Sequence, residues 1–137
     1  MSAGTSIVWK PEWDTGHQEI DVQHRTLLES LNRLQIAIEN GSGEEELGWC
    51  LSFMKAYARV HFRTEEALMA RYPDFDAVDH IIAHQALLEQ IDVHFRRFMG
   101  GEKQLTQETL SLLRHWLMGH IREEDLSFSK TIHGQST

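Results

Sequence analysis

A chain of 137 residues, 41% hydrophobic and 25% charged, has ordinary globular composition and is long enough to bury a core without disulfides. Its formal net charge of -8 argues against a nucleic-acid groove, which needs clustered Lys and Arg, and against a polybasic membrane segment. Cys50 is the only cysteine, so no internal disulfide can form, and no apolar run approaches the roughly 20 residues of a membrane span.

The expected organisation is one all-α domain in a reducing, cytoplasmic compartment. The first residues, with Trp9, Lys10, Pro11, Glu12, Trp13 and Asp14, lack the apolar run of a signal peptide and read as an irregular arm over about 1–18. Ile7, Val8, Trp9 and Trp13 are too apolar for a free tail, so the arm should lie across the bundle. The first helix then repeats Ile20, Leu27, Leu31, Leu34 and Ile38, with His24 in the gap of a 4,3,4,3,4 spacing. Asn40-Gly41-Ser42-Gly43 stops it, and Glu44, Glu45 and Glu46 open a second helix where the dipole favours acids.

That second helix has the seam Leu47, Leu51, Met54, Ala58, His61, Glu65, Leu68 and ends at Tyr72-Pro73. Asp74 or Asp76 can cap a third, whose seam is Ala77, His80, His84, Leu87, Ile91, then His94 or Phe95, then Phe98, before Gly100-Gly101. Thr106 can cap a fourth with the inward stripe Leu113, Trp116, Leu117, His120, Ile121, and a short polar tail follows about residue 128. Short loops make successive helices antiparallel neighbours. The predicted fold is an up-down-up-down antiparallel four-helix bundle over about 19–128.

Polar residues interrupt every seam. His24 lies near the start of the first helix, His61 and Glu65 near the end of the second, His80 and His84 near the start of the third, and His120 near the end of the fourth. In an antiparallel bundle those positions form one layer. Leaving such groups buried and unpaired would cost on the order of 1–3 kcal/mol each, against a total stability of about 5–15 kcal/mol, so a bound cation is expected. Imidazoles with carboxylates suit iron, zinc, copper or manganese better than calcium. His80 and His84, four apart, can hold one ion, and His61 with Glu65 a neighbouring one. An acid near the end of the fourth helix completes the set: regular spacing favours Glu124, since Asp125 lies about 140° around the helix from His120 unless the last turn is irregular. His17, His94, His115 and His133 fall outside the layer.

The stretches Ile20-Asp21-Val22-Gln23-His24, His61-Phe62-Arg63-Thr64-Glu65-Glu66-Ala67-Leu68-Met69, Tyr72-Pro73 followed by His80 and His84, and Trp116-Leu117-Met118-Gly119-His120-Ile121 leading to Asp125 resemble the hemerythrin family, specifically its bacterial single-domain members. The resemblance runs from about Trp9 to Phe128, with one departure at His17, where family members often carry an apolar residue. It implies two iron ions per chain in a non-haem, oxo- or hydroxo-bridged centre that binds O2 reversibly. By position, His80, His84 and His120 would hold one iron, His24 and His61 the other, and Glu65 and Asp125 would bridge them. This leaves one coordination position open, on the iron with two histidines. The resemblance also implies a dry O2 pocket walled by Leu27, Phe62, Trp116, Leu117 and Ile121.

The expected role is therefore an oxygen carrier, store or delivery protein, not an enzyme, with O2 as its partner and an O2-consuming enzyme as a candidate recipient. A di-iron oxidase or peroxidase is the first alternative, but ferritin-like bundles carry Glu-x-x-His pairs and this chain has none. An O2 sensor acting on a partner in trans is the second, since 137 residues leave no room for a fused signalling domain. A structural or zinc-binding bundle is the third.

Overall fold

A computed structural model describes residues 7–41, 43–101, 107–125, 128 and 130, with the backbone but not the side chains of residues 44, 107–108 and 123–125. Helix α1 spans Gln18–Glu39, α2 Glu44–Met69, α3 Val78–Met99 and α4 Gln107–Gly119, and α4 runs directly into a π-helical turn, His120–Asp125. A short 3-10 turn, Pro11–Trp13, precedes them. The described residues contain no strand, and α1 packs on α2 and α4 while α3 packs on α2 and α4, closing a four-helix bundle.

The seams account for the packing. Leu27, Leu31 and Leu34 of α1, Leu51, Met54 and Ala58 of α2, Leu87 and Ile91 of α3, and Leu113, Leu117 and Ile121 of the last segment join one buried cluster. Each fully buried aliphatic side chain contributes about 1.5–3 kcal/mol. The register drifts at the ends: Ala37 is buried and Ile38 half-buried, and Met69 is buried where Leu68 was expected. A helix turns by 100° per residue, so an apolar stripe of fixed 3,4 spacing slides around the axis over five or six turns. His94 and Phe95 are both half-buried, so neither alone fills the position between Ile91 and Phe98.

The ends follow local chemistry. α1 stops at Asn40, and Gly41 takes a left-handed φ of 65°, the conformation that favours glycine after a helix. Neither Asp74 nor Asp76 is the N-cap of α3, which is Ala77 without a side-chain cap bond, but Asp76, one residue earlier, accepts a hydrogen bond from the Val78 backbone N–H at 3.1 Å. Thr106 and the polar tail beyond residue 130 lie outside the described residues. Cys50 is buried, and burial together with neighbouring Glu46 pushes its thiol above the ordinary range.

The arm does lie across the bundle. The Ile7 backbone N–H donates to Asn32 Oδ1 and its carbonyl accepts from Asn32 Nδ2, both at 2.9 Å. Asp21, buried in the first turn of α1, accepts from the Thr15 N–H and hydroxyl at 2.8 Å and from the Gly16 N–H at 3.2 Å. These bonds set the entry of α1 and hold Trp13 against the core. The seam assignment yields a direct contrast in stability. Leu31→Ala should lower the unfolding free energy by about 2–5 kcal/mol, and half-exposed Ile36→Ala by about 0.5 kcal/mol or less, read from urea midpoints. Equal losses would contradict the assignment.

Candidate metal centre

His24 lies in the second turn of α1, His61 and Glu65 in the last turns of α2, His80 and His84 in the first turns of α3, and His120 at the junction of α4 and the π turn. Alternating helix direction therefore gathers all six at one end of the bundle. Their exposures are 0% for His24, His61 and Glu65, 1% for His84 and His120, and 8% for His80. Ring contacts link the layer: His24 to His61 at 4.6 Å between centroids, His84 to His120 at 5.2 Å and His80 to His84 at 5.5 Å.

Glu65 is the hub. Its Oε2 lies 3.3 Å from His61 Nε2 and 3.5 Å from His24 Nε2, while its Oε1 lies 3.0 Å from His84 Nε2 and 3.2 Å from His120 Nε2. One carboxylate thus turns each of its oxygens to a different pair of imidazoles. The ligand atoms of His24, His61, Glu65 and His120 all lie within 4.8 Å of one another, as do those of Glu65, His80 and His84. His120 stands between the two groups. Its Nε2 is 3.4 Å from that of His61, but the oxygen it faces is the one that faces His84.

Two outer residues, Gln23 and Glu66, fix which ring nitrogen points inward. Gln23 Oε1 lies 2.9 Å from His61 Nδ1, and the Gln23 amide nitrogen donates to Thr64 Oγ1 at 3.1 Å, so its oxygen is the atom facing the ring. An amide oxygen can only accept, so His61 carries its proton on Nδ1 and, when neutral, turns the Nε2 lone pair inward. Glu66 Oε2, 2.8 Å from His84 Nδ1, does the same for His84. Inward lone pairs at 3.0–3.3 Å from carboxylate oxygens repel them. A cation between them converts that repulsion into ligation, and the donor set fits one.

The backbone after His120 departs from a regular α-helix. A π-helix bonds residue i to i+5, so the turn His120–Asp125 brings backbone position 125 back into line with His120. This narrows the offset of about 140° that favours Glu124 in a regular helix. The side chain of Asp125 lies outside the described residues.

The apolar residues of the expected pocket pack beside the layer. Leu27, Phe62, Leu117 and Ile121 are buried, and half-buried Trp116 packs on the same cluster. Phe62 stacks on His84 at 4.0 Å, and Trp116 on His120 at 5.7 Å. Among the other histidines, His94 Nδ1 is 3.2 Å from the Thr109 hydroxyl and His115 is exposed, while His17 precedes α1 and His133 is outside the described residues.

The arrangement suits a non-haem di-iron site. Gln23→Leu removes the acceptor that orients His61 and is expected to weaken ferrous-ion binding by about 10–100-fold, measured by competition with a chromogenic chelator. Unchanged affinity would show that His61 is held by packing rather than by Gln23.

Residues 15–131 match the family described as Hemerythrin HHE cation binding domain. A bacteriohemerythrin of Stenotrophomonas maltophilia is 30% identical over 128 residues, covering 92% of this chain and 81% of the relative. One from Methylococcus capsulatus is 31% identical over 116 residues, covering 83% and 86%. A crystal structure of wild-type hemerythrin superposes with a TM-score of 0.84 at 26% identity, covering 92% of this chain and 97% of the other. With matching motifs, a shared bundle and a histidine–glutamate layer at one end of it, the chain belongs to the hemerythrin family.

Proposed function

We propose that the protein binds molecular oxygen reversibly at a centre of two iron ions, as a carrier, store or delivery protein. The observation that supports this most directly is the buried Glu65 carboxylate, whose two oxygens face separate imidazole pairs as a bridge between two ions requires. In this reading His24 and His61 would hold one ion, His80, His84 and His120 the other, and Glu65 and Asp125 would be shared by both. His120 is assigned by the carboxylate oxygen it shares with His84. Iron held there would supply the reversible two-electron chemistry that oxygen binding needs.

The chain's own residues would control what reaches the pair. Leu27 lies one turn from His24, and Leu117 and Ile121 flank His120, so aliphatic side chains cover the layer from within the core. Phe62 and Trp116 cover His84 and His120 with stacked rings. A dry wall keeps bulk water and protons from the bound gas, which favours release over decomposition. A site of five histidines with two carboxylates, Glu65 and Asp125, would also be less anionic than a glutamate-rich site, and this favours binding of O2 over its cleavage.

Anaerobic addition of ferrous iron should load about two ions per chain, and admitting oxygen should raise a visible charge-transfer band that fades on purging. A band that never reverses, or zinc in the protein as isolated from cells, would contradict the carrier reading. Leu117→Ala, which empties a fully buried position, should speed conversion to the inert diferric form severalfold. An unchanged rate would remove Leu117 from the wall.

A further inference from the structure

Among the described residues, three aromatic rings outside α1–α4 lie beside the histidine layer: Phe75 and Phe128 at His80, and Trp9, the one readily oxidised ring of the three, at His24. Trp9, on the arm, packs half-buried on His24 with ring centroids 6.3 Å apart and planes inclined by 35°. Its indole N–H donates to Asp14 Oδ1 at 2.8 Å, and Asp14 is in turn paired with Arg25 at 3.0 Å. The Asp14 side chain is 40% exposed to solvent. The Arg25 guanidinium also lies 5.3 Å over the Trp9 ring.

Indole and phenol are the side-chain rings most readily oxidised by one electron, and an indole that can lose its N–H proton at the same time is oxidised more easily still. Arg25 above the ring would repel an indole cation. Passing the Nε1 proton to Asp14 leaves a neutral radical, which Arg25 does not oppose. A ring touching His24, with a proton acceptor open to solvent, is therefore built to carry oxidising equivalents outward.

We propose that Trp9 is the outlet through which oxidising equivalents leave the metal centre, so that hydrogen peroxide reacting there is spent on a half-buried ring of the arm instead of on the ligands. This rests on the iron reading of the centre. The first electron passes from the indole toward His24 as the single Nε1 proton passes to Asp14; the second leaves the neutral radical as a cation, and the water that adds to it releases the second proton that peroxide takes up. Two electrons reduce one hydrogen peroxide to two waters, the O–O bond breaking, and water then adds to the twice-oxidised ring. The net change is tryptophan plus hydrogen peroxide giving hydroxytryptophan plus water. Where a one-electron donor such as a reduced flavin is present, it refills the radical and the ring survives.

The test is peptide mass spectrometry of the iron-loaded chain after treatment with hydrogen peroxide. A gain of one oxygen should appear at Trp9 ahead of Trp13, Trp49 and Trp116, and metal-free protein should show about tenfold less at that position. Asp14→Asn, which keeps an acceptor but removes the base, should lower the yield at Trp9, and Trp9→Phe should hasten iron loss under peroxide. Equal oxidation of Trp9 with and without iron would mean simple surface reactivity and overturn the proposal. So would oxidation centred on Trp116, whose ring stacks on His120. Bound iron with an intact Trp9 overturns the outlet alone, whereas failure to bind iron overturns both this inference and the reading beneath it.

Discussion

A carboxylate with no exposed surface, ringed by imidazole nitrogens on four helices, is the constraint on which the rest of this bundle depends. Glu65 sits 3.0–3.5 Å from the Nε2 atoms of His24, His61, His84 and His120. Two of those rings are held in the tautomer that points a lone pair at it, by Gln23 and Glu66. Such a cluster is unfavourable as a set of neutral rings around an anion, and favourable as a shell around cations. The helices that carry it are held together by leucine seams farther along the bundle, so packing elsewhere positions groups that would repel one another on their own.

The orientation of the outer groups gives the layer its two sides. Glu65 Oε2 faces the His24 and His61 rings, and Oε1 faces those of His84 and His120. His61 is turned by a residue of α1 and His84 by a residue of α2, so each orienting bond crosses between helices. Anything that slid α1 along α2 would turn His61 as well as move it. The arm adds to this control at the His24 side, where Asp21 fixes the entry to α1 and Trp9 lies against the ring.

Much of this was legible in the residues. A polar side chain in an apolar 3,4 repeat is conspicuous, and four such interruptions at alternating helix ends can be placed in one layer from chain direction alone. The resemblance to a known family rested on the same positions and added their assignment to two ions. What could not be read were features set by local backbone form or by neighbours distant in sequence. The π turn at His120–Asp125 leaves no hydrophobic signature, and regular-helix geometry pointed to Glu124. Gln23 and Glu66 each sit beside a seam residue, where a polar side chain is ordinarily solvated, and their roles appear only once α1, α2 and α3 are brought together. The residues mark Trp9 as packing, but its approach to His24 depends on the path of an arm that has no periodicity.

The most direct test of the account is anomalous diffraction at the iron edge from crystals loaded with ferrous iron under anaerobic conditions. Two peaks are expected, one beside each oxygen of Glu65, the first reached by His24 and His61 and the second by His80, His84 and His120. A single peak, or a Glu65 carboxylate turned away from the metal, would contradict the claim that this residue joins two ions.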